Sequence, residues 1–204
     1  MILLKKRHIE WVDLVKINYV LLGDKMIIFE TERLILRKWT VNDADDFYEI
    51  DSNPNVTTPI GWGTHKNKNK SLKFVNILIK KDTEWAIVNK ENNKAIGCIG
   101  YNYDSMRKCS VSSRNTIFAL NESYWGSRFC SEAVKRIMKY LFEDEDIKIL
   151  VAQHFSYNIR SKKVIERCGF KHEGTIRMFE IKSNKIIDKL IYSLSKSEYS
   201  EIYT

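Results

Sequence analysis

The sequence predicts a single α/β domain in which helices pack around one central β-sheet. Three observations predict this class. The chain has 204 residues, a length that suits one domain, or one domain with an appendage. Its hydrophobic content of 44% with only 2 prolines is typical of a packed globular protein. Short stretches with strand-like patterns lie on both sides of one long stretch with helical periodicity.

Residues 1–25 are interpreted as an N-terminal extension, and the domain is expected over residues 26–204, beginning at Met26. The bases that can encode Gly23-Asp24-Lys25 resemble a bacterial ribosome-binding sequence, which favours Met26 as the natural start. The alternative stays open that apolar residues from Trp11 to Ile17 form an extra element that covers a sheet edge or joins a dimer.

The first elements of the domain are predicted from local patterns. Leu34 and Leu36 alternate with more polar positions, which predicts a first strand. Thr40 stands three residues before Asp43, the spacing of a capping box, and this predicts a helix that ends at Asn53-Pro54.

The middle of the domain is predicted to run from a loop into a series of strands. Residues 59–70 are expected to form the loop, and residues 72–80 a short helix. Three strands are then predicted, over Glu84–Asn89, Ala95–Tyr103 and Thr116–Leu120.

The clearest helix prediction covers Ser127 to Glu143. Apolar residues from Cys130 to Phe142 recur there with the spacing of one helical face, and charged residues occupy the other side. The remaining predictions are a buried strand over Ile147–Gln153, a helix around Arg160–Arg167 that ends at Gly169, and two strands joined by a Ser183-Asn184 turn.

Composition excludes several classes of protein. The 4 cysteines, at positions 98, 109, 130 and 168, contain no CxxC pair, which favours reduced thiols in a cytoplasmic protein without structural zinc. No stretch approaches the roughly 20 apolar residues of a membrane helix. The net charge of +8 attracts phosphates, but the chain lacks a basic, aromatic-interleaved motif for nucleic acid.

The segment from Asn115 to Ala133 carries the most functional information. An apolar strand leads through Tyr124-Trp125-Gly126 into the start of the long helix. A helix N-terminus presents unpaired backbone N–H groups and the positive end of the helix dipole, so it can bind a pyrophosphate. An ordinary strand–helix connection remains the alternative.

Four phrases in order then extend this pattern: Glu30–Arg37, Tyr124–Gly126 with Ser131–Ala133, Asn158…Ser161…Gly169-Phe170, and Asp188…Tyr192-Ser193. Together they resemble the GNAT acetyltransferases, in particular the branch that includes the ribosomal-protein alanine N-acetyltransferases. The resemblance covers about Met26 to Tyr199. It implies a single, mostly antiparallel sheet that is splayed into a V between the strands Thr116–Leu120 and Ile147–Gln153, with helices on its faces.

The resemblance also implies acetyl-CoA as co-substrate, bound in the V, and no metal. The pantetheine arm is expected along the exposed strand and the pyrophosphate at the helix N-terminus. The implied cofactor-binding residues are Leu120, Trp125, Gly126, Ser127, Arg128, Phe129, Cys130, Ser131, Asn158 and Lys163. Arg160 and Lys162 are further candidates for the phosphates, although a solvated helix face explains such charges equally well.

One position departs from the family's loop pattern, Gln/Arg-x-x-Gly-x-Gly/Ala. Trp125, Arg128 and Cys130 stand at its defined positions, so arginine replaces the first glycine. With a negative φ, Arg128 can still offer its N–H to a phosphate, whereas a positive φ strains an arginine. We expect this loop to retain phosphate binding, since backbone amides rather than side chains make most of the contacts to the phosphates.

Two residues are predicted to take part in catalysis. The resemblance implies that Ser161 donates to the departing CoA thiolate, and the alternative is that it only caps a helix. His154 is the candidate base, with Glu122 as a second candidate, although an acceptor α-amine with a pKa of about 7.7–8.0 could lose its proton to water. Trp62 and Tyr101 are expected to contact the acceptor.

The implied reaction is acetyl transfer to a primary amine by direct attack. The acceptor could be a protein N-terminus, an amino-sugar antibiotic or a small metabolite. The alternative function is a module that binds acetyl-CoA without turnover. A monomer or homodimer in the cytoplasm is expected, with no nucleic-acid or membrane partner.

Overall fold

The computed structural model describes residues 28–108, 111–182 and 185–203. The extension of residues 1–25, Cys109 and the Ser183-Asn184 turn lie outside the described residues. In the described part, eight strands form one sheet with the order β1-β2-β3-β4-β5-β6-β8-β7. The strands are β1 Phe29–Glu30, β2 Leu34–Arg37, β3 Glu84–Asn89, β4 Ala95–Tyr103, β5 Ser113–Leu120, β6 Ile149–Phe155, β7 Lys171–Lys182 and β8 Lys185–Ser195.

The sheet is antiparallel at every junction except one. Strands β5 and β6 are parallel neighbours, and they pair only where Ser113–Asn115 lies beside Ile149–Val151. Beyond these residues β5 continues to Leu120 and β6 to Phe155 without pairing to each other. The predicted fold class, an open and mostly antiparallel sheet flanked by helices, is therefore confirmed.

Six α-helices cover the faces of this sheet in the described chain. They are α1 Ala44–Asp51, α2 Pro54–Thr57, α3 Lys68–Ile79, α4 Phe129–Lys139, α5 Ile159–Arg167 and α6 Lys196–Tyr203. The long predicted helix starts two residues later than Ser127 and continues past Lys139 as a π-helical turn over Tyr140–Asp144.

The two strands predicted for the C-terminal part are observed as β7 and β8, but the helix α6 that follows them was not predicted. The start of α6 is a capping box: the Ser195 N–H donates to Glu198 at 2.9 Å, and the Glu198 N–H donates to the Ser195 hydroxyl at 3.3 Å. The Ser-x-x-Glu spacing was thus present in the sequence. Its signal was missed because the preceding strand pattern runs directly into it.

The core has two parts, one on each face of the sheet. Strand β3 is buried throughout and contributes to both, as the alternation of side chains along a strand requires. Trp85 and Ile87 pack on the side of α4, whereas Ala86 and Val88 pack against Phe47 and the helices α1 and α3.

The N-terminal phrase of the domain is held by α4. The Glu132 carboxylate accepts hydrogen bonds from Arg33 Nε at 2.8 Å, from Arg33 N at 3.0 Å and from the Thr31 hydroxyl at 2.5 Å. This contact fixes the β1–β2 edge against the first turn of α4. Two of the matched sequence segments, Glu30–Arg37 and Ser131–Ala133, are therefore in contact, and this contact stabilises the fold.

Candidate functional site

Three cavities follow the opening between β5 and β6. The largest, about 300 Å³, is lined on the strand side by Asn115, Thr116 and His154. A second cavity of about 190 Å³ lies at the N-terminus of α4. A narrow space of about 70 Å³ between them shares Ser161 with the first and Trp125 with the second, so the three form one passage.

The N-terminus of α4 presents unpaired donors to this passage. No described residue accepts a hydrogen bond from the backbone N–H groups of residues 126–131. Gly126 has a φ of 84°, which turns the chain into the helix. Because the helix dipole adds partial positive charge at this end, the turn is suited to an anion such as a pyrophosphate.

Basic side chains surround these donors. Arg128, Arg160, Lys163 and Arg167 line the α4 cavity, and none of its described lining residues is acidic. The guanidinium carbon of Arg160 lies 4.1 Å from the centroid of the Trp125 ring, a cation–π contact that fixes both side chains. The donor set fits a group with several phosphates, which was expected for Arg160 and Lys163 but not for Arg167.

Arg128 occupies the left-handed region of the backbone, with φ of 64° and ψ of 8°. This is the position where the family pattern has glycine, and a side chain there costs about 1–2 kcal/mol. Of the two alternatives for this residue, the positive φ is the one observed. The loop keeps the glycine-like conformation despite the substitution.

Trp125 connects the turn to the end of β5. Its indole N–H donates to the Leu120 carbonyl at 2.9 Å, and its ring packs on both core clusters. The side chain therefore positions the loop, while its exposed part lines the passage.

The start of α5 is capped by Asn158 and not by Ser161. The side-chain oxygen of Asn158 accepts the Ser161 N–H at 3.1 Å, and its amide donates to the Pro59 carbonyl at 2.9 Å. The Ser161 hydroxyl lines the passage and forms no side-chain hydrogen bond with any described residue. Of the two interpretations of Ser161, the capping one is wrong.

His154 is buried, with 4% of its surface exposed, at the edge of the large cavity. Its Nδ1 lies 2.8 Å from the Phe155 carbonyl, so the proton is assigned to Nδ1 and the lone pair to Nε2. Nε2 has no hydrogen-bond partner among the described residues. Burial lowers the pKa of His154, although the Phe155 hydrogen bond opposes this, so the ring is neutral at neutral pH.

Two further residues that line the cavity of His154 carry polar atoms without partners in the described part of the chain. Asn115 Oδ1 and Thr116 Oγ1 are buried and have no hydrogen-bond partner among the described residues. Both residues line the same cavity as His154. Three residues with unpartnered polar atoms therefore line one cavity near the point where the strands separate. Local sequence patterns do not mark Asn115 or Thr116, since nothing in them indicates the point of separation.

The other predicted site residues divide into two groups. Trp62 lines the large cavity, as expected for an acceptor contact. Tyr101 is not brought there, because strand alternation turns it to the α4 face, where its ring lies 6.1 Å from Trp85. Glu122 accepts hydrogen bonds from the side-chain amides of Asn53 at 2.6 Å and Asn55 at 3.0 Å, so it joins its turn to α2.

The described cysteines offer no nucleophile to the passage. Cys98, Cys130 and Cys168 are free and buried. Burial raises the pKa of Cys168 to about 12 and also raises that of Cys98 and Cys130. No group of three or more potential metal ligands occurs among the described residues, and no described helix is long and apolar enough to cross a membrane.

The splayed sheet, the anion-binding turn and the passage between them define an acetyltransferase of the GNAT type. Residues 33–171 match the acetyltransferase (GNAT) domain family, and the chain therefore belongs to it. A similar curated protein is the N-acetyltransferase p20 of Bacillus licheniformis, 28% identical over 176 residues that cover 83% of this chain and 97% of the relative.

Solved structures agree on the fold. A GNAT-family acetyltransferase from Bacillus anthracis superposes with a TM-score of 0.75 at 22% identity, over 84% of this chain and 99% of that chain. The ribosomal-protein-S5-alanine acetyltransferase from Vibrio fischeri has a TM-score of 0.65 at 18% identity, over 85% and 98%. The microcin C7 self-immunity acetyltransferase, solved with acetyl-CoA and AMP, has a TM-score of 0.70 at 19% identity, over 81% and 93%.

Proposed function

We propose that this protein transfers the acetyl group of acetyl-CoA to a primary amine by direct attack. The observation that carries the proposal is the continuous passage from the phosphate-binding end at α4 to the unpartnered atoms around His154. Family membership supports the reaction type, and a similar fold is known in complex with acetyl-CoA.

The α4 end of the passage holds the phosphates in this proposal. Backbone N–H groups of residues 126–131 bind the pyrophosphate, and Arg128, Arg160 and Lys163 add positive charge. The free edge of β5 beyond Asn115 supports the pantetheine arm by strand-like hydrogen bonds. Acetyl-CoA, once bound, supplies an activated acetyl thioester.

The residues around the point of separation then handle the protons. Nε2 of His154 has the free lone pair needed to accept a proton from the amine, directly or through one water. The Ser161 hydroxyl donates to the sulfur as the carbon–sulfur bond breaks, which stabilises the thiolate. The new carbon–nitrogen bond replaces that thioester bond, and the buried cysteines take no part.

Acetyl-CoA binding and acetyl transfer are tested separately. Millimolar acetyl-CoA is expected to raise the melting temperature of the purified protein, because a ligand specific for the folded state stabilises it. Release of free thiol is then expected only when an amine is added. If acetyl-CoA does not raise the melting temperature, the proposal is contradicted. A shift without thiol release from any amine indicates a binding module that lacks turnover.

A cytoplasmic location is part of the same proposal, and the cysteines support it. The described cysteines are free and buried, which supports an activity in a reducing cytoplasm. The large cavity, which faces the acceptor, is lined by both polar and apolar side chains. The charged side chains among them affect which amine can bind.

A further inference from the structure

Lys189 lies on β8 at the acceptor side of the large cavity. It stands opposite Phe155 in the pairing of β6 with β8. Its Nζ lies 4.1 Å from the ring centroid of Phe179 and 5.9 Å from that of Phe155, and the lysine lines the cavity together with Phe155. An ammonium group held over two aromatic faces is fixed in place at the rim of the site.

This ammonium has no anionic partner in contact. Lys189 forms no ion pair and no side-chain hydrogen bond with any described residue. Glu180 is the acid that acts on it from a distance, and it favours the charged form. Burial outweighs that effect and lowers the pKa of Lys189, as expected for an ammonium group that has lost part of its water.

The other charges of the cavity neutralise each other. Glu84 is 4% exposed and pairs with Lys81, whose Nζ lies 2.5 Å from its carboxylate. His154 is neutral for the reason given above. Among the described lining residues, the one formal charge left without a counterion is therefore that of Lys189.

A bulge in the backbone of β7 positions the aromatic ring that covers the Lys189 ammonium group. The register between β7 and β8 shifts between Ile176 and Glu180, and Met178 has a positive φ of 54°. The Met178 N–H donates to Asp188 Oδ1 at 2.8 Å, which holds the bulge. A bulge redirects the neighbouring side chain, and here it lays Phe179 over Lys189.

From this arrangement we infer that the acceptor is a primary amine that also carries an anionic group, a carboxylate or a phosphate, which pairs with Lys189. The inference rests on the proposed acetyl transfer. The amine end of such a molecule meets His154 Nε2, whose free lone pair can accept its hydrogen bond. The anionic end supplies the counterion that Lys189 lacks.

The same charges disfavour the opposite class of acceptor. A polycationic amino sugar would bring several positive charges to a cavity whose described acid, Glu84, is already committed to Lys81. Like charges brought together in a partly desolvated site are destabilising. Of the acceptors that the sequence leaves open, the amino-sugar antibiotic is therefore the least compatible with this cavity.

The test compares acceptors that differ in one charge but have the same attacking amine. Suitable sets are the amidated dipeptides Ala-Glu, Ala-Gln and Ala-Arg, the pair Ala-phosphoserine and Ala-Ser, and 6-aminohexanoate beside its amide. We expect the anionic member of a set to have a kcat/KM at least about tenfold higher than its neutral partner, as one desolvated charge pair supports. The phosphoserine set separates phosphate from carboxylate.

Variants assign the preference to Lys189. Lys189→Met is expected to reduce the preference to less than about threefold, and Lys189→Glu to reverse it, while the thermal shift with acetyl-CoA stays unchanged. Lys185→Met removes an exposed charge from the same strand and serves as the matched control. Equal turnover of neutral and anionic acceptors, or an unchanged preference in Lys189→Met, overturns the inference. Loss of all turnover with every amine counts against the proposed function instead.

Discussion

The side chain of Asn158 joins α5 to the backbone of Pro59, 99 residues earlier in the chain, through a hydrogen bond of 2.9 Å. Its other polar atom caps α5 by accepting the Ser161 N–H. One amide therefore sets the position of Ser161 and closes one wall of the passage, which Pro59 also lines. The sequence predicts Asn158 as a cofactor-binding residue, and the structure shows that its side chain anchors the turn ahead of α5.

Replacing Asn158 separates these two contacts. Asn158→Ser keeps a capping oxygen but cannot reach Pro59, whereas Asn158→Ala loses both. We expect Asn158→Ala to lower the free energy of unfolding by about 1–3 kcal/mol, and Asn158→Ser by about 1 kcal/mol less, measured by urea unfolding. Equal stabilities for the two variants would show that the cap contributes nothing.

Ser161→Ala should affect turnover and not stability. Because Asn158 provides the cap, we expect the free energy of unfolding to change by less than about 0.5 kcal/mol. Loss of one hydrogen bond to the leaving thiolate should lower kcat by roughly ten- to a thousandfold at unchanged acetyl-CoA affinity. Ser156→Ala, at an exposed serine just ahead of α5, is the control. Full activity in Ser161→Ala would remove this residue from the mechanism.

Arg128 combines a strained backbone with a charge useful for binding, and two variants distinguish these effects. Arg128→Gly relieves the positive φ and should raise the free energy of unfolding by about 1 kcal/mol. Arg128→Ala keeps the strain. Both variants lose the guanidinium and should bind acetyl-CoA a few times more weakly, more so at low salt. Calorimetric titration and thermal unfolding measure the two effects, and equal melting temperatures for the two variants would contradict the strain.

The pH dependence of acetyl transfer should report His154. The amine must be neutral, which gives one titration near its own pKa of about 8 for a peptide N-terminus. Since burial lowers the pKa of His154, its protonation should cause a second loss of kcat/KM below about pH 6.5, the ordinary value for histidine. In His154→Gln the second titration should be absent and kcat lower at every pH. If the pH profile of His154→Gln equals that of the wild type, water and not His154 accepts the proton of the amine.

The buried Asp51–His65 pair makes stability depend on pH. Asp51 is 2% exposed and its Oδ2 lies 3.3 Å from His65 Nδ1, which also contacts the Ser71 hydroxyl at 2.9 Å. Burial raises the pKa of Asp51 to about 7. Its pKa in the unfolded chain is about 3.9, so the neutral carboxyl stabilises the fold fully below about pH 4.

That contribution is lost as the pH rises through about 7. Asp51→Asn cannot ionise, so its melting temperature relative to wild type should be several degrees higher at pH 8 than at pH 5. Because His65 contacts Asp51, the comparison is repeated in a His65→Gln background, which removes the titration of His65. A melting-temperature difference that does not vary with pH would contradict a raised pKa at Asp51.

Much of the fold is determined by patterns that act over a few residues. The apolar stripe that starts at Cys130 predicts α4, and the alternation at Leu34 and Leu36 predicts β2. The strand predictions over Glu84–Asn89 and Ala95–Tyr103 have the observed bounds of β3 and β4. These signals are local, because helix and strand periodicity depend on neighbours in sequence. The matched phrases likewise identify the family without the structure.

The site depends on contacts that no local pattern specifies. Strand β5 pairs with β6 over three residues and then separates from it, and this separation opens the cavity that Thr116 and His154 both line. Strand alternation places Tyr101 of β4 against the α4 side of the core, and the pairing of β6 with β8 brings Lys189 across from Phe155. The sequence by itself therefore determined most of the elements, the family and the turn that leads into α4. Only the tertiary structure decided which side chains line the passage, because strand register and the bulge at Met178 are fixed by partners that are distant in the chain.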